Sequence, residues 1–273
     1  MLDAEGRANL SKRVRVLADA ARLAEAAAEC FLGAADQAIR AHGRFAVALS
    51  GGRTPPDSYR RLASSVLVER VDWRQVHVFF SDERCVPPDH PDSNYRMVRE
   101  SLLEQIAIPA ANVHRILGEI RPEAAAEEYE SQLRVFFAPR RMSRTQSGEH
   151  QVPRFDLILL GMGEDGHTAS LFPGAAGLQE RSRWVVPQYV EKLNSWRVTL
   201  TLPVINTAAQ VVFAVSGKSK AERVREVIGG AAADSLLPAQ MVKPVSGELL
   251  WLVDADAASL LPQRDASRGK VEE

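Results

Sequence analysis

The sequence predicts an α/β fold, and three observations lead to that expectation. Short β-rich apolar runs at Phe45–Leu49, Leu157–Leu160 and Gln210–Val215 have the composition of strands buried on both faces of a parallel sheet. Each stops at a glycine-bearing loop, and the first and last lead directly into a helical segment, the βα arrangement of phosphate sites. No internal repeat and no low-complexity linker interrupts the 273 residues, a length that suits one large α/β domain or two small ones.

In chain order, residues 1–9 read as a loose lead-in and 10–16 as a weakly alternating edge strand. Residues 19–41 are alanine-rich, with Leu23, Ala27, Phe31 and Ile39 near helical spacing, and His42-Gly43 supplies a C-cap. After the strand Phe45–Leu49 comes Ser50-Gly51-Gly52-Arg53-Thr54-Pro55-Pro56, then a helix to about Leu67. Gly51 and Gly52 would let backbone donors approach an anion, Ser50 and Thr54 would add hydroxyls, and Pro55 suits a first helical turn. The same loop also reads as a plain tight connection with Thr54 as N-cap. It lacks the Lys-Ser/Thr of a P-loop and the third glycine of a dinucleotide fingerprint, which disfavours a nucleoside triphosphate or NAD.

Val76–Phe80 is the next strand, and Ser81-Asp82-Glu83-Arg84 crowds three charges where it should end. Residues 86–90 form a rigid loop, a helix starts at Ser93 and runs to about Leu103, residues 113–116 form a short strand, and 122–135 a helix. Residues 139–153, rich in arginine and serine and aperiodic, read as a surface loop. Further strands are expected at 183–186 and 197–202, the latter ending at Pro203, and at 249–253. Ser216-Gly217-Lys218-Ser219-Lys220 caps the strand Gln210–Val215 and opens a helix to Ile228, while 264–273 form a loose polar end.

The chain is organised around residues 155–174. Gly161, Gly163 and Gly166 follow the strand Leu157–Leu160, and Glu164, Asp165 and His167 share their loop. A glycine-rich loop at a strand's carboxyl end lies where open α/β sheets bind ligands, and an imidazole beside a carboxylate can activate water near neutral pH. His167 could instead merely satisfy a turn, but the combination favours chemistry.

Composition narrows the alternatives. With 34 basic against 35 acidic residues and a formal charge of −1, nothing global points to nucleic acid or an anionic membrane, so any anion must be met locally. The two cysteines, Cys30 and Cys85, show no C-x-x-C and no zinc spacing, and no pattern activates Cys85; a reducing cytoplasm is expected. There is no apolar signal core and no run approaching the ~20 apolar residues of a membrane span.

Five segments in order resemble the glucosamine-6-phosphate isomerase/6-phosphogluconolactonase family, on its lactonase branch: residues 50–55, 81–84, 161–174, 197–203 with Asn206, and 216–221. The resemblance implies that residues 10–260 are one doubly wound α/β sugar-phosphate lactonase domain. It would have a central, mainly parallel sheet flanked by helices, with the site at the carboxyl edge. It also implies hydrolysis of 6-phospho-D-glucono-1,5-lactone in the oxidative pentose phosphate pathway, with no metal or organic cofactor. The expected catalytic residues are His167, Asp165, Arg84 and Asp82. Ser50, Gly51, Gly52, Thr54, Arg197 and Lys220 would clamp the phosphate, Lys220 occupying the family's Gly-x-x-Lys position in preference to Lys218. N–H groups around Gly163 and Gly166, or Arg84, would polarise the carbonyl. The related isomerases carry an acid just before the proline of the central motif; here that place is Phe172. The expected partner is a phosphorylated sugar lactone, with no nucleic acid and no membrane, and the expected assembly a monomer or weak homo-oligomer.

Overall fold

The apolar runs assemble into a six-stranded sheet in the computed structural model, which describes residues 13–138, 152–229 and 236–262. Its strands are β1 (Arg13–Leu17), β2 (Phe45–Leu49), β3 (Val76–Phe80), β5 (Leu157–Leu160), β8 (Gln210–Val215) and β9 (Glu248–Asp254), ordered β1-β9-β8-β5-β2-β3 with every pairing parallel. Every residue of β2 and β5 is buried, which explains their unbroken hydrophobicity. β1 lies at the sheet edge and is largely exposed, the reason its pattern is weak.

Helices flank this sheet: α1 (Ala20–His42), α2 (Pro55–Leu62), α3 (Asn94–Ser101), α4 (Pro122–Phe137), α5 (Leu202–Thr207), α6 (Ala221–Gly229) and α7 (Pro238–Met241). α1 is capped at Asp19, whose carboxylate accepts from the Arg22 N–H at 2.8 Å, and it ends at Gly43 with φ 75°, the C-cap expected from His42-Gly43. It buries Leu23, Ala27, Phe31 and Ala35, and Phe31 meets Phe45 edge-on at 5.1 Å. At the other side Phe213 of β8 stacks on Trp251 of β9 at 3.9 Å. Each such side chain contributes roughly 1.5–3 kcal/mol over its exposed state.

Several boundaries differ from expectation. α2 ends at Leu62 rather than near Leu67, because the Ser64 carbonyl takes both the Leu67 and Val68 N–H groups and turns the chain. α3 ends at Ser101, and a 3₁₀ turn at Leu103–Gln105 follows. Residues 113–116 do not form a strand: contact with β3 is limited to one bridge, Val113 to Val78, closed by the His114 N–H on the Val78 carbonyl at 2.8 Å, and the His114 ring stacks on Phe79. The strand expected at 197–202 stops at Leu200, since Pro203 belongs to α5. The helix after β8 begins as a 3₁₀ turn, Lys218–Lys220. Residues 1–9 and 264–273, and nearly all of 139–153, lie outside the described residues.

The largest departure is a second sheet. β4 (Asp82–Arg84), β6 (Val185–Val190) and β7 (Ser195–Leu200) form an antiparallel layer ordered β4-β7-β6. The charged run after β3 is therefore a strand and not merely the end of one. Ser81 joins the layers, its N–H donating to the Leu49 carbonyl and its carbonyl accepting from Leu200 N–H, both at 2.8 Å. Val185, Val198 and Leu200 share the core with the parallel sheet.

Candidate active site

β2 sends the chain outward to β3, whereas its neighbour β5 sends it the other way to β8. Their carboxyl ends therefore diverge and open a crevice at a topological switch point, where doubly wound sheets bind ligands. The loops after β2, β5 and β8 and the strand β4 line one pocket there. Its walls include Ser50, Gly51, Gly52 and Thr54, Asp82 and Arg84, Gly163 and His167, and Lys220.

The loop after β2 is held from beneath. Buried Tyr59 of α2 donates to the Ser50 carbonyl at 2.9 Å and accepts from the Ser50 N–H at 3.2 Å. α4 secures the next strand in the same way, Tyr129 bonding both the carbonyl and the N–H of Phe80. Thr54 makes no side-chain cap bond, so the reading of this loop as a plain N-capped turn finds no support. The buried Ser50 Oγ has no partner. Gly51 is required by packing, because a Cβ there would lie 1.8 Å from Oδ1 of Asn94.

In the loop after β5, Asp165 and His167 meet directly: Oδ1 of Asp165 lies 2.5 Å from His167 Nδ1 and also accepts the His167 N–H at 3.1 Å. Burial opposes charge on Asp165, but hydrogen bonds from His167 and Lys192 outweigh it and hold the carboxyl well below the usual range. The His167 ring stacks on Phe172 at 4.1 Å. A Cβ on Gly163 would fall 2.0 Å from His167 Nδ1, so glycine is what lets the pair fold back over its own loop.

Other assignments change. The Gly163 N–H donates to the His167 carbonyl and the Gly166 N–H to the Gly163 carbonyl, so both are taken up by the loop and neither serves as a free carbonyl-polarising donor. Gly166 does not line the pocket; it packs toward Leu237. Asp82 is bonded by Ser170 Oγ at 2.6 Å, Ser81 Oγ at 3.2 Å and Asn94 Nδ2 at 3.4 Å, while Arg84 donates to the Asp92 carbonyl. Asp82 is expected to orient either Arg84 or a sugar hydroxyl, and its bonds here run to Ser170, Ser81 and Asn94 while Arg84 turns to Asp92.

Lys220 lines the pocket and Lys218 does not. Burial pushes the Lys220 ammonium below its ordinary range, an effect that Glu164 opposes from 3.9 Å. Arg197 lies across from Arg84 on β7 and outside the lining; burial, then the neighbouring Arg84, lower its affinity for its proton. Asn206 ties the 241–243 segment through the Met241 carbonyl and Lys243 N–H. Burial pushes the Cys85 thiol up to about 11, the opposite of an activated nucleophile.

Residues the sequence reading passed over include Asn94, whose buried Oδ1 is unpartnered at the pocket wall, Arg53, and Lys192, which bonds Asp165. The only local signal for Asn94 was its place after the N-cap Ser93, and Lys192 carried none. Among the described residues no three His, Cys, Asp or Glu side chains are grouped to hold a metal ion, and no helix is long and apolar enough to cross a membrane.

A switch-point crevice lined by the glycine loop after β2 and Lys220 on one side and by a coupled carboxylate–imidazole on the other has the layout of an α/β enzyme site. The chain belongs to the glucosamine-6-phosphate isomerase/6-phosphogluconolactonase family, whose model matches residues 18–251. A 6-phosphogluconolactonase of a Nostoc species is 40% identical over 253 residues, covering 92% of this chain and 99% of the relative. One from a Synechocystis species has the same identity and coverage. The structure of 6-phosphogluconolactonase from Trypanosoma cruzi superposes with a TM-score of 0.79 at 27% identity, covering 93% of this chain and 98% of that one.

Proposed function

We propose that this chain hydrolyses 6-phospho-D-glucono-1,5-lactone to 6-phosphogluconate, the lactone-opening step of the oxidative pentose phosphate pathway. The observation that supports it most is the Asp165–His167 contact at the pocket wall, with Phe172 stacked on the imidazole. An amino-sugar phosphate isomerase would need an acid at the Phe172 position to open the ring, and a phenyl group transfers no proton.

A δ-lactone is an activated ester, so positioned water, a base and help for the oxyanion suffice. Asp165 occupies Nδ1, which leaves His167 Nε2 to take a proton from water as its oxygen bonds to C1. The tetrahedral intermediate then collapses, the C1–ring oxygen bond breaks, and His167 returns the proton to the departing ring oxygen. Arg84 is the cation at the pocket wall assigned to the carbonyl oxygen, and Asp82, fixed by Ser170, Ser81 and Asn94, faces the sugar hydroxyls. Ser50, Gly51, Gly52, Thr54 and Lys220 hold the phosphate at the α2 start, with Arg197 adding charge from behind Arg84. The two free thiols, Cys30 and Cys85, support placement in a reducing cytoplasm.

The test follows loss of the lactone above its spontaneous rate, alongside release of ammonia from glucosamine 6-phosphate. Lactone hydrolysis without ammonia is expected. Ammonia release, or binding with neither reaction, would overturn the assignment in favour of an isomerase or a sugar-phosphate sensor.

A further inference from the structure

The hairpin of β6 and β7 reaches from the second sheet to the loop after β5. Its tip is a 3₁₀ turn, Glu191–Leu193, closed by Asn194 at φ 44°, whose N–H donates to the Glu191 carbonyl at 3.0 Å. From that tip the Lys192 ammonium bonds Asp165 Oδ2, the oxygen not facing His167. The same ammonium stands 4.7 Å from the centre of the Phe172 ring, on which His167 stacks. One cation thus touches both supports of the imidazole.

We propose that Lys192 is a positioning residue for the Asp165–His167 pair and sets how readily His167 accepts the proton from water, an inference that rests on the lactonase reading. An ordinary exposed ion pair would contribute little. Here, however, the carboxylate is shared, and charge drawn toward Lys192 is charge less available to an imidazolium on the other oxygen. Lys192 therefore competes with the imidazole for the Asp165 carboxylate, while the hairpin fixes the carboxylate's orientation. The other charged groups around the pair include Glu164 of the same loop, with Arg53 3.9 Å from its carboxylate, Lys220 after β8, which also acts on Asp165, and Asp82 and Arg84 across the pocket. The Asp165 carboxylate itself is hydrogen-bonded by His167 and Lys192.

The experiment compares the full-length wild type with Lys192→Met and Lys192→Arg. It reads kcat and KM for the lactone against pH, and the titration of the His167 imidazole C–H by NMR, assigned by its loss in His167→Asn. In Lys192→Met the acidic limb of kcat/KM and the His167 titration should both move up by about 0.5–1 pH unit, since a unit charge has left the pair's neighbourhood. Turnover at neutral pH should fall several-fold with KM within about twofold, and Lys192→Arg should restore the wild-type limb. A limb and titration that stay in place in Lys192→Met, even with a lowered Tm, would reduce Lys192 to a staple for the hairpin and overturn the inference. A wild type inactive on the lactone, with a His167 titration that still moves in Lys192→Met, would remove the lactonase reading and keep the coupling.

Discussion

Asp165 Oδ1 lies 2.5 Å from His167 Nδ1, and that single contact decides which imidazole nitrogen is left for chemistry. General acid–base catalysis is worth about 10²–10⁴-fold. His167→Asn should therefore lower turnover by roughly that factor with KM for the lactone little changed, measured by steady-state kinetics above the spontaneous rate. Nearly full hydrolysis by the variant would move the base to Asp165 or Glu164.

Lys220 is the cation that the 3₁₀ turn after β8 places in the pocket wall. Lys220→Met should raise KM for the phosphorylated lactone about ten- to a hundredfold, the loss of one charge-assisted phosphate contact, and lower turnover much less. Arg197→Ala should also raise KM more than it lowers turnover, and by less than Lys220→Met because Arg197 stands outside the lining. Unchanged constants in correctly folded protein would remove either residue from the clamp.

Tyr59→Phe removes the hydroxyl that serves both the carbonyl and the N–H of Ser50 in the buried floor of the loop. Leaving those groups unpaired should cost about 1–3 kcal/mol in urea unfolding and raise KM through a looser phosphate loop. Stability equal to the wild type would mean the loop is held from elsewhere.

His114 gives a pH dependence of known sign. Burial, reinforced by the neighbouring His77, pushes its imidazole from 6.5 down to about 4. Between those values the unfolded chain binds a proton that the folded chain refuses. Stability from this group is thus complete above about 6.5, is lost as pH falls toward about 4, and levels off below. His114→Phe, which can keep the stack on Phe79, should show a smaller drop in urea midpoint between pH 7 and pH 5 than the wild type. An equal drop would assign the acid sensitivity to other groups.

Much of this protein could be read from the chain alone. The apolar runs of β2, β5 and β8 identify themselves because strands buried on both faces need no alternation, and α1 carries its own cap residues, Asp19 and Gly43. The glycine loops and the Asp165-x-His167 spacing are local patterns, so the ingredients of the site were legible too. What only the tertiary structure decided depends on partners distant in sequence. Residues 81–84 carry charges that mimic a strand's end, and only pairing with β7 makes them a strand of a second sheet. Asp82 is bonded by Ser170 rather than by Arg84, and the N–H groups of Gly163 and Gly166 close their own loop, because backbone geometry rather than residue type chooses hydrogen-bond partners. Asn94 and Lys192 reach the site from a helix start and a hairpin tip that bear no chemical signature in one dimension. A side chain's electrostatic role is set by the few ångströms around it, and those distances exist only once the chain has folded.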